Sequence, residues 1–345
     1  MEYLLHSIIT ILLLALIVLV CALFTNAIEN FGKEYNLQDG AIGGILAAIG
    51  TALPETIVPL VAIFGAVITN SEINLGEEIA LGAVLGSPFL LSTIAFFITG
   101  ISIVICSKTK KRICELCSNP IVLLRDLKYF TISYTIAITC AFIPNKTIKY
   151  FIACLLFLYY LHYVLRTLKK DFGCDCDNNE IEELLFKKAL QAYKNKKILI
   201  ILQLLIAFGG LIILAHYFVN EIKYFSNILN IHPMIMSLIL TPIATELPEC
   251  LNSAIWISSS KDTLSIANIT GALVFQSCIP TAIGIAFTPW VFTTPAILSV
   301  ILVYCAIGTV YTKAIKNKGI LNYRILIYCG IFYLIYVAYI LKMLI

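Results

Sequence analysis

Charge is scarce in this chain. Of its 345 residues, 13% are Asp, Glu, Lys or Arg, about half the share of an ordinary soluble protein. With 60% hydrophobic residues and a mean hydropathy of +0.94, that scarcity excludes a water-soluble globule. The bilayer is the solvent for most of the chain. Four His and two Trp leave little material for a haem or a multi-histidine metal centre. A nucleotide-binding Gly-x-x-x-x-Gly-Lys loop is missing as well, so an electrochemical gradient has to supply any free energy. The net charge of +4 is small, and no nucleic-acid partner is expected. Also absent is a basic flank before the first apolar stretch, or a small-residue cleavage site after it. That stretch therefore reads as a retained helix and not a signal peptide. Cysteine, by contrast, is plentiful at twelve. Cys21, Cys140, Cys154, Cys278, Cys305 and Cys329 lie inside apolar runs, where Cys behaves as a small hydrophobe.

About 20 apolar residues are needed to cross the hydrocarbon layer in a helix. Windows of that kind predict ten spans, at roughly 3–28, 40–68, 77–106, 122–143, 149–168, 197–219, 232–258, 263–288, 293–312 and 324–344. The one long polar segment, roughly 169–196, divides the chain into a first five-span unit (1–168) and a second (197–345). If that segment is cytoplasmic, 20 of the 24 basic residues fall on its side, and only Lys146, Lys149, Lys223 and Lys342 fall on the other. The positive-inside rule then places both termini outside, in a multi-pass protein of the cell membrane. The acidic turn around Glu72, Glu77 and Glu78 faces outward.

Two spans carry the same motif. Thr51, Leu53, Pro54 and Glu55 align with Thr245, Leu247, Pro248 and Glu249 at a fixed offset of 194, and each set lies in the second span of its half. The following spans also correspond, Gly82–Phe89 against Ala267–Val274, with Gly86 opposite Gly271. Five spans per half is an odd number, so the second copy must enter the membrane in the opposite sense. The predicted fold is all-α, ten transmembrane helices in two inverted five-helix repeats, an architecture common among secondary transporters.

The repeated motif is expensive to place there. A carboxylate at mid-membrane costs about 2.5–3.5 kcal/mol on an insertion scale. Glu55 and Glu249 both fall near the middle of their spans, and Glu246 stands one turn before Glu249. Pro54 and Pro248 lack the N–H of a helix interior and free carbonyls near Gly50–Thr51 and Ala244–Thr245. Broken helices are tolerated in a bilayer only where they line protein or a water-filled cavity. Carboxylate, threonine hydroxyl and unpaired carbonyl are hard oxygen ligands, suited to Na⁺, Ca²⁺ or a proton and not to a soft metal. A protonated, hydrogen-bonded packing role would explain one such Glu, but two at equivalent repeat positions favour an ion site. Gly82, Gly86, Gly271 and Ala272 either contact an ion through their backbone or let helices approach closely. Asn252, Asn268 and Gln276 are either ion ligands or interhelical hydrogen-bonding groups.

At these residues the chain resembles the sodium/calcium exchanger family of the cation/calcium antiporter superfamily. The likeness covers both halves. It is strongest over 41–66 with 78–91, and over 235–256 with 264–276, which look like the family's two α-repeats. Gly50–Glu55 resembles the family's Gly-Thr-Ser-Leu-Pro-Glu, and Ala244–Glu249 its second copy. The resemblance implies a ten-helix inverted repeat, alternating access and central sites for Na⁺ and Ca²⁺. It implies Glu55 and Glu249 as the paired ion carboxylates, with Thr51 and Thr245 contributing oxygen. The chain also departs from the pattern. The family's serine is Ala52 in one repeat and Glu246 in the other. The family's Gly-Ser-x-x-x-Asn/Asp becomes Gly86-Ser87 with Leu91 on one side, and Gly271-Ala272 with Gln276 on the other. The expected site is therefore remodelled, with Glu55, Glu246 and Glu249 at its centre and Thr51, Thr245, Ser87, Asn268 and Gln276 nearby.

Two loop features complete the reading. Cys114, Cys117, Cys174 and Cys176 lie in different loops on one predicted face and could close a tetrahedral metal site, or remain reduced thiols in a reducing compartment. The acidic run from Asp171 to Glu183 lacks the spacing and glycine of an EF-hand and reads as a solvated loop. The leading function is secondary antiport of Na⁺ or H⁺ against Ca²⁺ or another cation, with those ions as substrates and no cofactor. No obligatory protein partner is implied. Glu246 beside Glu249 encourages a proton-coupled variant. An intramembrane protease would resemble Tyr-Asp plus Gly-x-Gly-Asp, which this chain lacks. A transport-inactive sensor is the remaining alternative.

Overall fold

The computed structural model describes residues 2–34, 53–68, 73–110, 115–171, 184 and 196–344. Its elements are α1 (Glu2–Glu34), α2 (Leu53–Ile68), α3 (Ile73–Leu90), a π-helical turn (Leu91–Ala95), α4 (Phe96–Lys110), β1 (Glu115–Cys117), α5 (Pro120–Cys140) and α6 (Lys146–Asp171). The second half adds α7 (Lys196–Leu229), α8 (Pro233–Thr245), α9 (Leu247–Ser258), α10 (Asp262–Phe287), α11 (Thr294–Lys316), β2 (Ile320–Asn322) and α12 (Tyr323–Leu344).

Each predicted span has a helix. Among the described residues, seven helical runs are long and apolar enough to cross a membrane, and α8 with α9, bent by 44°, forms an eighth. The other two are α2, whose predicted span begins at about residue 40, outside the described residues, and α5, which carries Arg125, Asp126 and Lys128. The boundaries differ most at α7. It runs to Leu229, ten residues past the predicted end, because a helix can continue into water after its apolar stretch stops. Asn220, Glu221 and Lys223 lie on that extension.

The inversion is visible in the first helix of each half. Near the start of α1, His6 Nδ1 meets Glu221 Oε2 at 2.9 Å near the end of α7. Near the start of α7, Gln203 Nε2 donates to the Leu23 carbonyl at 2.8 Å and to Asn26 Oδ1 at 3.1 Å, toward the end of α1. Equivalent helices therefore run antiparallel, as an inverted repeat requires.

Loops with the same predicted sidedness meet. β1 pairs antiparallel with β2, Glu115 opposite Asn322. The Ser118 hydroxyl donates to the Gly319 carbonyl at 2.7 Å. The start of α10 joins them, where Cys117 N–H donates to Asp262 Oδ2 at 2.9 Å and Asn119 N–H to Thr263 Oγ1 at 3.1 Å. At the other end of the bundle, Lys149 Nζ donates to the Pro289 carbonyl at 2.6 Å and His232 Nε2 lies 3.6 Å from Glu78 Oε1.

At the centre stands α3, buried without interruption from Ile79 to Leu90. Its small residues explain how it gets there. A Cβ at Gly82 would collide with the Met234 carbonyl and Ser237, and one at Gly86 with the Leu238 carbonyl and Pro242. Both glycines are thus needed for the close approach of α3 to α8. Ser237 Oγ fastens that contact by donating to the Ile79 carbonyl at 2.6 Å.

Candidate cation site

The proline of the second repeat breaks its span at the predicted place. Because Pro248 has no N–H, the Ala244 carbonyl has no donor four residues on, and the chain turns at Glu246 between α8 and α9. Glu246 N–H still bonds the Pro242 carbonyl at 2.9 Å, and Cys250 N–H bonds the Glu246 carbonyl at 3.1 Å. The break is therefore a bend, and it points Glu246 and Glu249 inward. Glu55 occupies the equivalent place in the first turn of α2, beside the buried Pro54.

Three carboxylates meet there. One oxygen from each of Glu55, Glu246 and Glu249 lies within 4.8 Å of the others, and all three residues are at most 3% exposed. Neutral groups surround Glu246. Gln276 Nε2 donates to its Oε1 at 2.8 Å, Thr245 Oγ1 lies 3.4 Å from the same atom, and the Ser87 hydroxyl stands beside the carboxylate. Both oxygens of Glu55, Oε2 of Glu246 and Oε1 of Gln276 are buried and meet no hydrogen-bond donor among the described residues. The group facing Glu55 is the Glu246 carboxylate, another acceptor.

Chemically, the pocket leaves both oxygens of Glu55 and one of Glu246 without a donor among the described residues. Burying a carboxylate without a partner is costly, and like charges this close in a low-dielectric interior repel strongly. Cations or protons have to occupy such a cluster. All-oxygen donors suit hard ions.

The predicted members are placed as follows. Glu55, Glu246, Glu249, Thr245, Ser87 and Gln276 come together. Asn268 serves the frame: its Nδ2 donates to the Glu249 carbonyl at 3.0 Å and to Ser253 Oγ at 3.1 Å, locking α9 to α10. Thr51 lies outside the described residues, as do Cys114, Cys174 and Cys176 of the suggested thiolate site and the acidic run beyond Asp171. Cys117 is exposed on β1. Gly82 and Gly86 pack helices together, whereas a Cβ at Gly271 would make only ordinary contact, 3.7 Å from Tyr163 Oη.

A further buried acid, Asp126, was missed. Asp126 on α5 accepts from Thr270 Oγ1 at 2.9 Å, Arg125 Nε at 3.0 Å and Tyr163 Oη at 3.1 Å. Its sequence signal is weak, an Asp four residues into the predicted span with Arg before it. That Asp ties α5, α6 and α10 together.

A family model described as sodium/calcium exchanger protein matches residues 5–169 and 199–343. No curated protein sequence matches significantly. Among solved structures, an H⁺/Ca²⁺ exchanger, CAX, aligns with a TM-score of 0.74 at 16% identity, covering 97% of this chain and 82% of its own. The sodium-calcium exchanger NCX_Mj, soaked with Na⁺ and Sr²⁺, aligns with a TM-score of 0.58 at 18% identity, covering 97% and 98%. At these identities the likeness is one of fold, the ten-helix inverted repeat.

Proposed function

Because the chain belongs to the sodium/calcium exchanger protein family, and so to exchangers rather than enzymes, we propose that it is a secondary antiporter exchanging Ca²⁺ for Na⁺ or H⁺. The observation that carries this reading is the buried triad of Glu55, Glu246 and Glu249 within 4.8 Å. It is built from corresponding segments of two inverted repeats, and both oxygens of Glu55 and Oε2 of Glu246 meet no protein donor among the described residues. Under this reading the carboxylates are the ion ligands, and Thr51, Thr245, Ser87 and Gln276 complete or orient the set. The bend before Pro248, and the equivalent break expected of Pro54, let the two halves rock about the site, exposing it to each side in turn. The transported ions are substrates, the bilayer and inorganic cations are the only partners required, and segment 169–196 faces the cytoplasm with both termini outside.

One observation favours proton coupling over Na⁺. Three carboxylates around a divalent ion leave one negative charge unbalanced, and Glu246 supplies the extra acid where the family pattern has serine. A proton on that group balances the loaded site without a second metal ion.

Radiolabelled Ca²⁺ uptake into Na⁺-loaded proteoliposomes tests the proposal, repeated with a pH gradient alone and with Glu55→Gln. Uptake that needs internal Na⁺ and vanishes with Glu55→Gln supports Na⁺/Ca²⁺ exchange. Uptake driven only by pH assigns proton/Ca²⁺ exchange. Absence of uptake under either gradient sinks the calcium reading, and uptake unchanged by both Glu55→Gln and Glu249→Gln sinks the site.

A further inference from the structure

Toward the side assigned above as external, α2 and α7 enclose a cavity of about 260 Å³. Ala62, Gly65 and Ala66 wall it on one side, and His216, Asn220 and Lys223 on the other. Its place on the helices relates it to the carboxylate triad. Residues a whole number of turns apart share a helix face, so Ala62 and Ala66 stand on the face of α2 that carries Glu55. At 1.5 Å per residue, the cavity begins about 10 Å beyond that carboxylate, with Val58 and Pro59 buried in the intervening turns. Pro59 lies inside α2 and lacks the N–H that would close on the Glu55 carbonyl. The helix can therefore bend at the level where cavity and carboxylate have to join.

Space is kept open there at a cost to the helix. Glycine weakens a helix interior, yet a Cβ at Gly65 would meet only His216 Nδ1, at 3.9 Å. Packing does not require this glycine. What it leaves is volume in front of the polar stripe of α7.

That stripe carries the wrong charge for attracting cations. No lining side chain among the described residues is acidic. Glu221, two residues before Lys223, faces α1 instead, with its carboxylate 2.9 Å from His6 Nδ1 and 3.4 Å from Thr10 Oγ1. The Lys223 ammonium thus stands among neutral polar groups in a narrow space between apolar helices, where a charge acts over a long range.

We propose that the α2–α7 cavity is the outer mouth of the ion path and that Lys223 makes this mouth discriminate against divalent cations. The proposal rests on the antiport reading above. Repulsion scales with the charge of the ion, so the factor by which Lys223 weakens capture of a monovalent ion is squared for Ca²⁺. From outside, the monovalent partner is admitted in preference, and Ca²⁺ leaves more readily than it enters. The overall equilibrium is untouched; what changes is capture at one face.

Initial rates of radiolabelled Ca²⁺ uptake into right-side-out and inverted membrane vesicles, at low ionic strength, are the test. With Lys223→Gln the half-saturating Ca²⁺ concentration should fall roughly fourfold in right-side-out vesicles, the effect of one unit charge on a divalent ion about 8 Å away. In inverted vesicles it should stay within about twofold of wild type, and choline chloride at about 0.5 M should shrink the outer shift toward unity. Lys223→Glu should lower the outer value further, while Lys223→Arg keeps the charge and should behave as the wild type does. Lys342→Gln removes the same charge from an exposed position at the end of α12 and should change the outer value less than about twofold. Equal shifts at both faces, a shift insensitive to salt, or a Lys342→Gln effect as large as that of Lys223→Gln would overturn this inference and leave antiport standing. A wild type that takes up no Ca²⁺ under either a Na⁺ or a pH gradient would overturn both.

Discussion

Gln276 on α10 reaches across the bundle to Glu246 at the bend between α8 and α9, its Nε2 2.8 Å from Oε1. The bond spends the donor half of the amide on orienting a carboxylate and leaves Gln276 Oε1 as a buried acceptor with no donor among the described residues. One side chain thus both positions a carboxylate and offers an oxygen of its own. Shortening it to Ala removes both contributions. Loss of a group that orients a metal-binding carboxylate costs roughly ten- to a hundredfold in affinity. Gln276→Ala is accordingly expected to raise the Ca²⁺ concentration for half-maximal uptake by about that factor, with protein yield little changed. Half-maximal concentrations within about twofold of wild type would show that Gln276 is only filling space.

Under the proposed function, protons and cations compete for the same oxygens in the triad. Metal binding to carboxylates requires their deprotonated form and releases protons, so Ca²⁺ affinity should fall as pH falls. Glu246→Gln removes one exchangeable proton. Its plot of log affinity against pH should therefore be shallower than the wild type's, by as much as one proton per ion bound. Isothermal titration in two buffers of different ionisation enthalpy counts those protons directly. An unchanged count in Glu246→Gln would remove Glu246 from the proton-coupled step.

The spans, their pairing into repeats and the central acids were legible because each leaves a local mark. Apolar windows mark the spans, and Leu-Pro-Glu at positions 247–249 marks the bend between α8 and α9. Asn268 shows what the pattern could not settle. Its position is compatible with an ion ligand, and only the packing of α9 against α10 assigns its amide to the Glu249 carbonyl and Ser253. Asp126 was hidden for another reason. Beside Arg125 and Lys128 it looks like part of a charged helix end, and nothing local predicts that Tyr163 and Thr270 will arrive from α6 and α10 to bury it. The π-helical turn at Leu91–Ala95 is likewise a feature that hydropathy does not register.

That burial makes Asp126 a stability residue. Removing it leaves Arg125, Tyr163 and Thr270 without their shared acceptor. Breaking a buried charge pair from one side costs about 3–5 kcal/mol, so Asp126→Ala should lower the melting temperature markedly in detergent. Tyr163→Phe, which deletes one neutral donor, should cost about 1 kcal/mol. Thermal unfolding followed by tryptophan fluorescence or by aggregation ranks the two. A Tyr163→Phe loss as large as that of Asp126→Ala would show the ring packing, and not the acid, to be the tie.

The same measurement separates packing glycines from a tolerant one. Gly86 sits where a Cβ would strike the Leu238 carbonyl and Pro242, whereas the nearest neighbour of a Cβ at Gly271 is Tyr163 Oη at 3.7 Å. The two positions are equivalent in the repeats yet differ in what faces them, because α8 packs directly against α3 at Gly82 and Gly86. Forcing extra atoms into a closed contact costs about 1–3 kcal/mol. In addition, α3 would have to back away from α8, which carries Thr245 and leads into Glu246. Gly86→Val is therefore expected to lower both thermal stability and Ca²⁺ uptake per folded molecule, while Gly271→Ala leaves stability within about 0.5 kcal/mol of wild type. Equal tolerance at the two positions would mean that α3 and α8 can separate without cost, and that the carboxylate triad is held by something other than this contact.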